Sequence, residues 1–350
     1  MGDDCVVQVG GTAYEMGFDH GRALREQIEY AVRKALIQEI NKRNNYTFDE
    51  AVARAMPYMK LGREFAPHLD EELRGIADGA RLSYEEVCLL QVRSELAYPA
   101  SLSAAECSTV AVQSQRTKAG KTLVGANVDM GAQLEALGVI LHLQPDHGPR
   151  ILTWTLAGVV GQTGLNSAGL VRCGNVLFAP GWRTGVPTSF LFRRLLEQES
   201  LQDALTLCTS VARAKSNNIL MADSTDRVVD IEMTVETECY LYPTDGVLCH
   251  TNHYCHPELE QFDRFTEQQD SRLRLARLQE LLANDESWDE NRLERVLSDH
   301  ANAPHSICKH PQDSKHAIKT IASCVMTPAL GRMRVSFGNP CSGERLSLSV

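Results

Sequence analysis

The sequence has no excess of basic residues, no basic run, no long apolar stretch and no repeated cysteine spacing. Each of these absences excludes a class of protein. Its 35 lysines and arginines stand against 45 acidic residues, a formal charge of −10. Gripping a phosphate backbone takes clustered positive charge, so nucleic acid is excluded as a partner. No run approaches the ~18 apolar residues that a membrane-spanning helix needs, and no membrane partner is expected. The N-terminus, Met1-Gly2-Asp3-Asp4-Cys5, is acidic and leads into no apolar segment, so no export signal is read there. Val6 stands where a myristoylation signal wants Ser or Thr. The eleven cysteines are odd in number and scattered. Without an export signal they read as reduced thiols, and the expected location is cytoplasmic. Apolar residues make up 43% and charged residues 23%, the balance of a globular chain large enough for one big domain or two ordinary ones. Small molecules or peptides are the expected partners.

What is present divides at about residue 100. Before it the pattern is mostly helical. A short strand, Val6–Val9, is followed by a helical pattern from about Ala23 to Asn41. Thr47 with Glu50, and Ser83 with Glu86, have the form of capping boxes, and Leu69, Leu73, Ile76 and Ala77 recur at helical spacing. Residues 101–106 are small and polar without periodicity, and read as an exposed linker. After it strands dominate. Cys107–Gln113 and Thr122–Asp129 form a hairpin, continued by Val139–Gln144, Arg150–Leu156 and Gly169–Leu177. A helix follows Pro187 and another starts at Ser200. Strands Asn218–Ala222 and Val228–Thr234 come next, then helices Asp270–Leu282 and Ser287–Leu297. The second of these helices is expected to open on a box of Ser287 and Glu290. Strands Ile321–Met326 and Arg332–Phe337 close the chain. Helices flanking a strand-rich middle predict an α+β fold with helices covering stacked antiparallel sheets.

The chemistry concentrates at Glu106–Cys107, where a strong nucleophile begins a strand directly after the linker. Cleavage of the bond before Cys107 would give the thiol an α-amine on its own residue. The ordinary pKa values, about 7.7–8.0 for the amine and about 8.5 for the thiol, suit proton exchange near neutrality, so the amine can serve as base for its own side chain. Read without that chemistry, Cys107 is a small buried residue at a strand start. A second cluster, Cys249-His250-Thr251-Asn252-His253-Tyr254-Cys255-His256, has zinc-ligand residue types but no second half, and no metal site is expected. No phosphate-cradling glycine loop marks a coenzyme A site, and no cofactor is expected.

Several segments resemble the acyl-CoA:6-aminopenicillanic acid acyltransferase (isopenicillin N acyltransferase) family of autoproteolytic N-terminal-cysteine (Ntn) enzymes, a wider group that includes the insect β-alanyl-amine hydrolases. They are Gly11–Gly21, Glu72–Ala80, Arg93–Tyr98, Cys107–Ala111, Gly125–Asp129, Gly164–Gly169, Gly185–Pro187, His250–His253 and Ser306–Lys309. Their order and spacing over nearly the whole chain carry the likeness. The resemblance implies a four-layer αββα sandwich, cleaved into an α fragment, 1–106, and a β fragment from Cys107. The two would stay associated as a heterodimer within one Ntn domain, with further oligomerisation open.

By position, the resemblance makes Cys107 the nucleophile, Asp129 a carboxylate that orients the new amine, and Asn252 the donor to the oxyanion. Asn166 and Lys309 become substrate-binding candidates. The implied activity is hydrolysis of a linear, non-peptide or small peptide-like amide through an S-acyl enzyme. The alternatives are acyl-CoA-dependent N-acyl transfer and a non-processing binding protein. Two residues depart from the pattern: Glu106 replaces the usual glycine, and Lys309 a usual arginine. Outside the resemblance each candidate has an ordinary reading. Asp129 would cap a turn, Asn252 would satisfy a loop, Asn166 would shape a hairpin turn, and Lys309 would be a solvated charge.

Overall fold

The computed structural model describes residues 5–36, 46–97, 106–264, 268–283, 287–311 and 318–350. Residues 101–105 of the linker read at 101–106, and the end of the helix read to Asn41, lie outside them; Glu106 opens a buried strand. The strands are β1 (Val6–Gly11), β2 (Glu106–Val112), β3 (Leu123–Gly131), β4 (Gly138–Pro145), β5 (Ile151–Leu156), β6 (Thr163–Asn166) and β7 (Leu170–Val176). There follow β8 (Asn217–Asp223), β9 (Val228–Met233), β10 (Glu238–Leu241), β11 (Val247–His250), β12 (Ile318–Thr327), β13 (Arg332–Phe337) and β14 (Leu346–Ser349). Two compact units are formed. The first comprises Met1–Ser101, Ala136–Thr163 and Gly181–Lys215; the second comprises Leu102–Glu135, Gly164–Pro180 and Ser216–Val350.

In the first unit β4 lies between β1, which it pairs in parallel, and β5, which it pairs antiparallel. The helix Ala13–Ala23 covers β1 and packs closely on the helix Pro67–Ala80. The spacing of four glycines makes this contact possible. Gly17 and Gly21 lie four apart on one helix, Gly75 and Gly79 four apart on the other. A Cβ on any of them would run into a backbone carbonyl oxygen of the facing helix, those of Glu72, Ile76, Tyr14 and Phe18 respectively. Two segments of the family resemblance, Gly11–Gly21 and Glu72–Ala80, thus form one backbone-to-backbone contact. Beside them Arg193 and Glu72 form a buried pair, Nη2 to Oε2 3.0 Å. His20 Nε2 accepts the Gly158 N–H at 3.0 Å. Burial, helped by the Arg193 charge, lowers the His20 pKa to about 3.

The second unit contains the sheet β11-β2-β3-β12-β13-β14 and the strand series β6-β7-β8-β9-β10, whose described pairings are antiparallel. Strand β2 faces β7. On the other side, the helix Gln268–Leu282 packs on β2 and β11, and the helix Glu290–Leu297 on β3 and β12. Val110, Val112, Leu123, Leu278, Leu293, Leu297 and Trp288 form the apolar layer between sheet and helices. The architecture is α+β: helix, sheet and sheet within this unit, sheet and helix within the other.

Most elements fall where the residue patterns put them. The boxes at Thr47 and Ser83 both form, and Ser200 caps its helix. Three readings change. The first helix begins at Ala13, ten residues before the expected start, because Thr12 and Glu15 make a capping box of their own. The helix expected from Ser287 starts at Glu290. Asp289 caps it, accepting the Arg292 N–H at 2.8 Å, while Trp288 is held in an extended segment by the Arg116 carbonyl. Strands β6, β10, β11 and β14, each four residues long, were not resolved from periodicity, which needs a longer window.

Overpacking against a backbone that cannot yield typically costs ~1–3 kcal/mol. Gly75→Ala should therefore lower unfolding stability by about 2–3 kcal/mol in urea titration. Gly161→Ala, whose Cβ would meet only Arg193 atoms at 3.6–3.7 Å, should change it by less than about 1 kcal/mol. Equal effects would refute the close-packing account.

Candidate active site

Strand register sets the core of the site. In the β2–β3 hairpin Cys107 pairs with Val128 and Glu106 with Asp129, so cysteine and aspartate come from adjacent rungs of one ladder. β2 begins at Glu106, one residue earlier than expected, and is buried throughout. Cys107 is only 7% exposed and Asp129 is fully buried.

The third sequence candidate, Asn252, arrives from the turn after β11. Its Oδ1 accepts the backbone N–H of Cys107 at 2.8 Å. One Nδ2 proton goes to the Val176 carbonyl at 3.0 Å, leaving the second for another acceptor. The loop is held by the helix Gln268–Leu282, where Ser271 Oγ accepts the Asn252 N–H at 2.7 Å and donates to Thr251 Oγ1 at 2.9 Å.

The centre of the site is a residue the sequence did not single out. Arg274 is fully buried. Its Nη1 donates to the Cys107 carbonyl at 2.7 Å and to Ser108 Oγ at 3.1 Å. Its Nη2 donates to Asn252 Oδ1 at 3.0 Å, and its Nε to Asp270 Oδ1 at 2.7 Å. One planar guanidinium thereby fixes both the main chain of the nucleophile and the amide that holds its nitrogen. Asp270 and Arg274 sit four apart on the helix, and no local signal in the sequence distinguishes them from its other polar residues.

Lys309 joins this network rather than facing solvent. Its Nζ pairs with Glu106 Oε2 and with Asp270 Oδ2, the latter at 2.6 Å. The two residues that depart from the family pattern thus neutralise each other. Arg274 Nη2 adds a longer contact to Glu106 at 3.8 Å, and His305 Nδ1 lies 2.6 Å from Asp270 Oδ2. Asn166 Oδ1 accepts the amides of Ala168 and Leu170 in the β6–β7 turn.

The charges tune the titrating groups. Burial, reinforced by the Asp129 charge, pushes the Cys107 thiol up to about 12. Burial raises Asp129 to about 7, against the pull of Arg274 and Lys309. Its Oδ1 accepts from Thr320 Oγ1 at 2.6 Å, while Oδ2 is buried without a hydrogen-bond partner among the described residues. Burial also raises Glu106. At Asp270 burial opposes ionisation, but Arg274 and Lys309 outweigh it and hold the carboxyl well below its usual range.

Among the described residues no histidine is hydrogen-bonded to Cys107. The nearby His250 pairs with Glu232 instead, Nε2 to Oε1 2.7 Å. Glu232 also accepts the amides of Cys255 and His256. In the cysteine–histidine cluster read in the sequence, Glu232 thus ties His250 to the amides of Cys255 and His256. What the site offers chemically is a neutral thiol, its own backbone nitrogen clamped by an amide, and a carboxyl with one open oxygen that ionises near neutrality.

Removing one member of a buried ion network leaves the others uncompensated, which typically costs ~3–5 kcal/mol. Arg274→Met should destabilise the protein by about that amount in thermal or chemical unfolding. A loss below about 1 kcal/mol would show that the guanidinium does not organise the site.

The sequence profile of the acyl-coenzyme A:6-aminopenicillanic acid acyl-transferase family matches residues 116–342, beginning after Cys107. The chain is 28% identical over 339 residues to the 40 kDa form of acyl-coenzyme A:6-aminopenicillanic-acid-acyltransferase of Emericella nidulans, covering 95% of this chain and 92% of that one. It is 24% identical over 377 residues to the β-alanyl-dopamine/carcinine hydrolase of Drosophila melanogaster, covering 97% and 94%. Among solved structures, a mutant of the conjugated bile acid hydrolase from Clostridium perfringens matches with a TM-score of 0.44 at 12% identity, covering 70% and 92%. With the profile spanning well over half of its length, the chain belongs to the acyl-coenzyme A:6-aminopenicillanic acid acyl-transferase family, which has a hydrolase as well as an acyltransferase among its relatives.

Proposed function

We propose that the chain is the precursor of an N-terminal-cysteine amide hydrolase that cuts itself between Glu106 and Cys107. The observation that carries this reading is the clamp of Asn252 Oδ1 on the Cys107 backbone nitrogen, with the partnerless Asp129 Oδ2 on the neighbouring rung. In the self-cleavage step Cys107 Sγ attacks the Glu106 carbonyl carbon. The thiol proton passes to Asp129 and then to the leaving Cys107 nitrogen as the C–N bond breaks, and the Glu106 acyl group moves to sulfur. Water hydrolyses that thioester, which leaves a carboxylate on Glu106 and a free α-amine on Cys107.

In turnover that amine takes the thiol proton and the thiolate attacks the acyl carbon of a small linear amide. The amine product departs with a proton, and water releases the acid from the S-acyl enzyme. Asn252 contributes twice: Oδ1 holds the α-amine, and the uncommitted Nδ2 proton serves the oxyanion. The fragments would stay together because β1 and the helices before residue 98 are built into a unit with residues beyond Cys107. Strand β1 pairs with β4, Arg193 with Glu72, and Glu95 accepts the Thr188 amide at 2.8 Å. Self-cleavage would also free the Glu106 carboxylate from its covalent tether, so that Lys309 and Arg274 can receive an anionic group on a substrate.

Intact mass and N-terminal sequencing test the processing. Wild-type protein should give two associated fragments, the larger beginning Cys-Ser-Thr-Val, and Cys107→Ala should remain a folded, inactive single chain. A fully active uncut chain would remove the mechanism. Supplying the processed protein with amides, and separately with an acyl-CoA and an amine, distinguishes hydrolysis from transfer.

The pH profile of processing tests Asp129. Its ionised form is the proton acceptor, so with a pKa of about 7 the rate should be low in acid, rise through about pH 7 and level off above. Asp129→Asn should slow processing by roughly 10²-fold and flatten that profile. An unchanged profile would take Asp129 out of the proton path.

A further inference from the structure

Four side chains outside the active-site network converge on one point in the second unit. His300 follows the helix Glu290–Leu297, Cys308 and His310 flank Lys309, and Cys341 lies in the turn Pro340–Ser342 after β13. One ligand atom from each falls within 4.8 Å of all the others. The individual separations are 3.8 Å between the two sulfurs, 3.7 and 3.4 Å from His310 Nε2 to Cys308 and Cys341 Sγ, and 3.0 Å between the two histidine Nε2 atoms.

Four of the six edges that a tetrahedron of these atoms would have are thus given, and the two from His300 to the sulfurs are at most 4.8 Å. Zinc bonds of about 2.3 Å to sulfur and about 2.0–2.1 Å to nitrogen require edges of about 3.8 Å for S–S, about 3.6 Å for S–N and about 3.3 Å for N–N. A histidine–histidine hydrogen bond would account for one of the measured contacts and leave both sulfurs unexplained. A disulfide would require the sulfurs at about 2.05 Å, and all eleven cysteines are free. Support from behind the ligands is present too. Asn339 donates Nδ2 to Cys308 Sγ at 3.4 Å and to the Lys309 carbonyl at 2.5 Å, the kind of outer hydrogen bond that orients a thiolate ligand. Cys308 is buried while His300, His310 and Cys341 are exposed, which leaves an entry path for an ion. Among the described residues, the other two clusters of ligating types contain three residues each.

We infer that His300, Cys308, His310 and Cys341 form a structural Zn²⁺ site. Two thiolates with two imidazoles select zinc among the common divalent ions, and four protein ligands leave no open position for catalysis. The ion would fasten three segments distant in sequence: the loop after a helix, the strip that presents Lys309, and the turn after β13. The sequence concealed the site because its ligands are spread over about forty residues, and their one close pair, Cys308 and His310, lacks the C-x2-C or H-x3-5-H form that marks a zinc motif. The inference stands apart from the proposed self-cleavage, because its ligands take no part in it.

Metal analysis and cobalt substitution test it on the whole chain. Protein purified without chelators, then given a slight excess of zinc and desalted, should retain about one zinc per chain. Cys341→Ser and His300→Ala, both at exposed positions, should fall below about a tenth of that while keeping the far-ultraviolet dichroism of the wild type. Co²⁺ should give the intense visible bands of a tetrahedral site with a thiolate charge-transfer band, both lost in Cys341→Ser. Zinc should raise the melting temperature of the wild type and leave that of the variants unchanged. Wild-type protein that keeps no zinc would overturn the inference, as would zinc retained equally by both variants or a Cys308–Cys341 disulfide in the freshly purified chain.

Discussion

The site depends on a single buried guanidinium. Arg274 touches the Cys107 carbonyl, Ser108, Asn252 and Asp270 at once, and no other side chain type presents enough donors in a fixed plane to do so. Its burial is tolerated because carboxylates surround it. Asp270 lies directly against it, Glu106 is 3.8 Å away, and Asp129 contributes through its field. Three acidic groups against Arg274 and Lys309 leave one carboxyl in surplus. Burial raises both Glu106 and Asp129, the latter to about 7 against the pull of Arg274 and Lys309, and Asp129 keeps one oxygen without a hydrogen-bond partner among the described residues.

Glu106 and Lys309 illustrate how a pair can hide in one-dimensional reading. Taken singly, each was a departure that weakened the resemblance. About two hundred residues separate them in sequence, yet their charges meet at the junction where the nucleophile begins. Lys309 also pairs with Asp270, which Arg274 and Lys309 hold ionised, and this ties the pair to the helix that also positions the Asn252 loop through Ser271.

The first unit rests on a different constraint, closeness of approach. Four glycines let two helices touch backbone to backbone, and no apolar side chain could replace that contact without pushing them apart. Glycine loses the most entropy on ordering, so four of them at one interface are explained only by what their missing side chains permit.

The sequence by itself determined much of this. The capping boxes at Thr47 and Ser83 are local patterns, governed by contacts a few residues apart, and the structure follows them; strands also form at Cys107–Val112 and Arg332–Phe337, as read. The hairpin of Cys107–Gln113 and Thr122–Asp129 also forms, but its register, Cys107 opposite Val128 and Glu106 opposite Asp129, is fixed only by the structure. Tertiary structure alone decided the rest. No local signal distinguished Arg274, Asp270 and Ser271 from the other polar residues of their amphipathic helix. Lys309 looked like a surface charge, and His300, Cys308, His310 and Cys341 like unrelated residues. A side chain's partners across long stretches of chain are fixed by how elements pack, and packing leaves no periodic trace in the residues that meet. Covalent neighbours are written into the sequence, whereas the electrostatic neighbours that set charge, pKa and coordination exist only once the chain has folded.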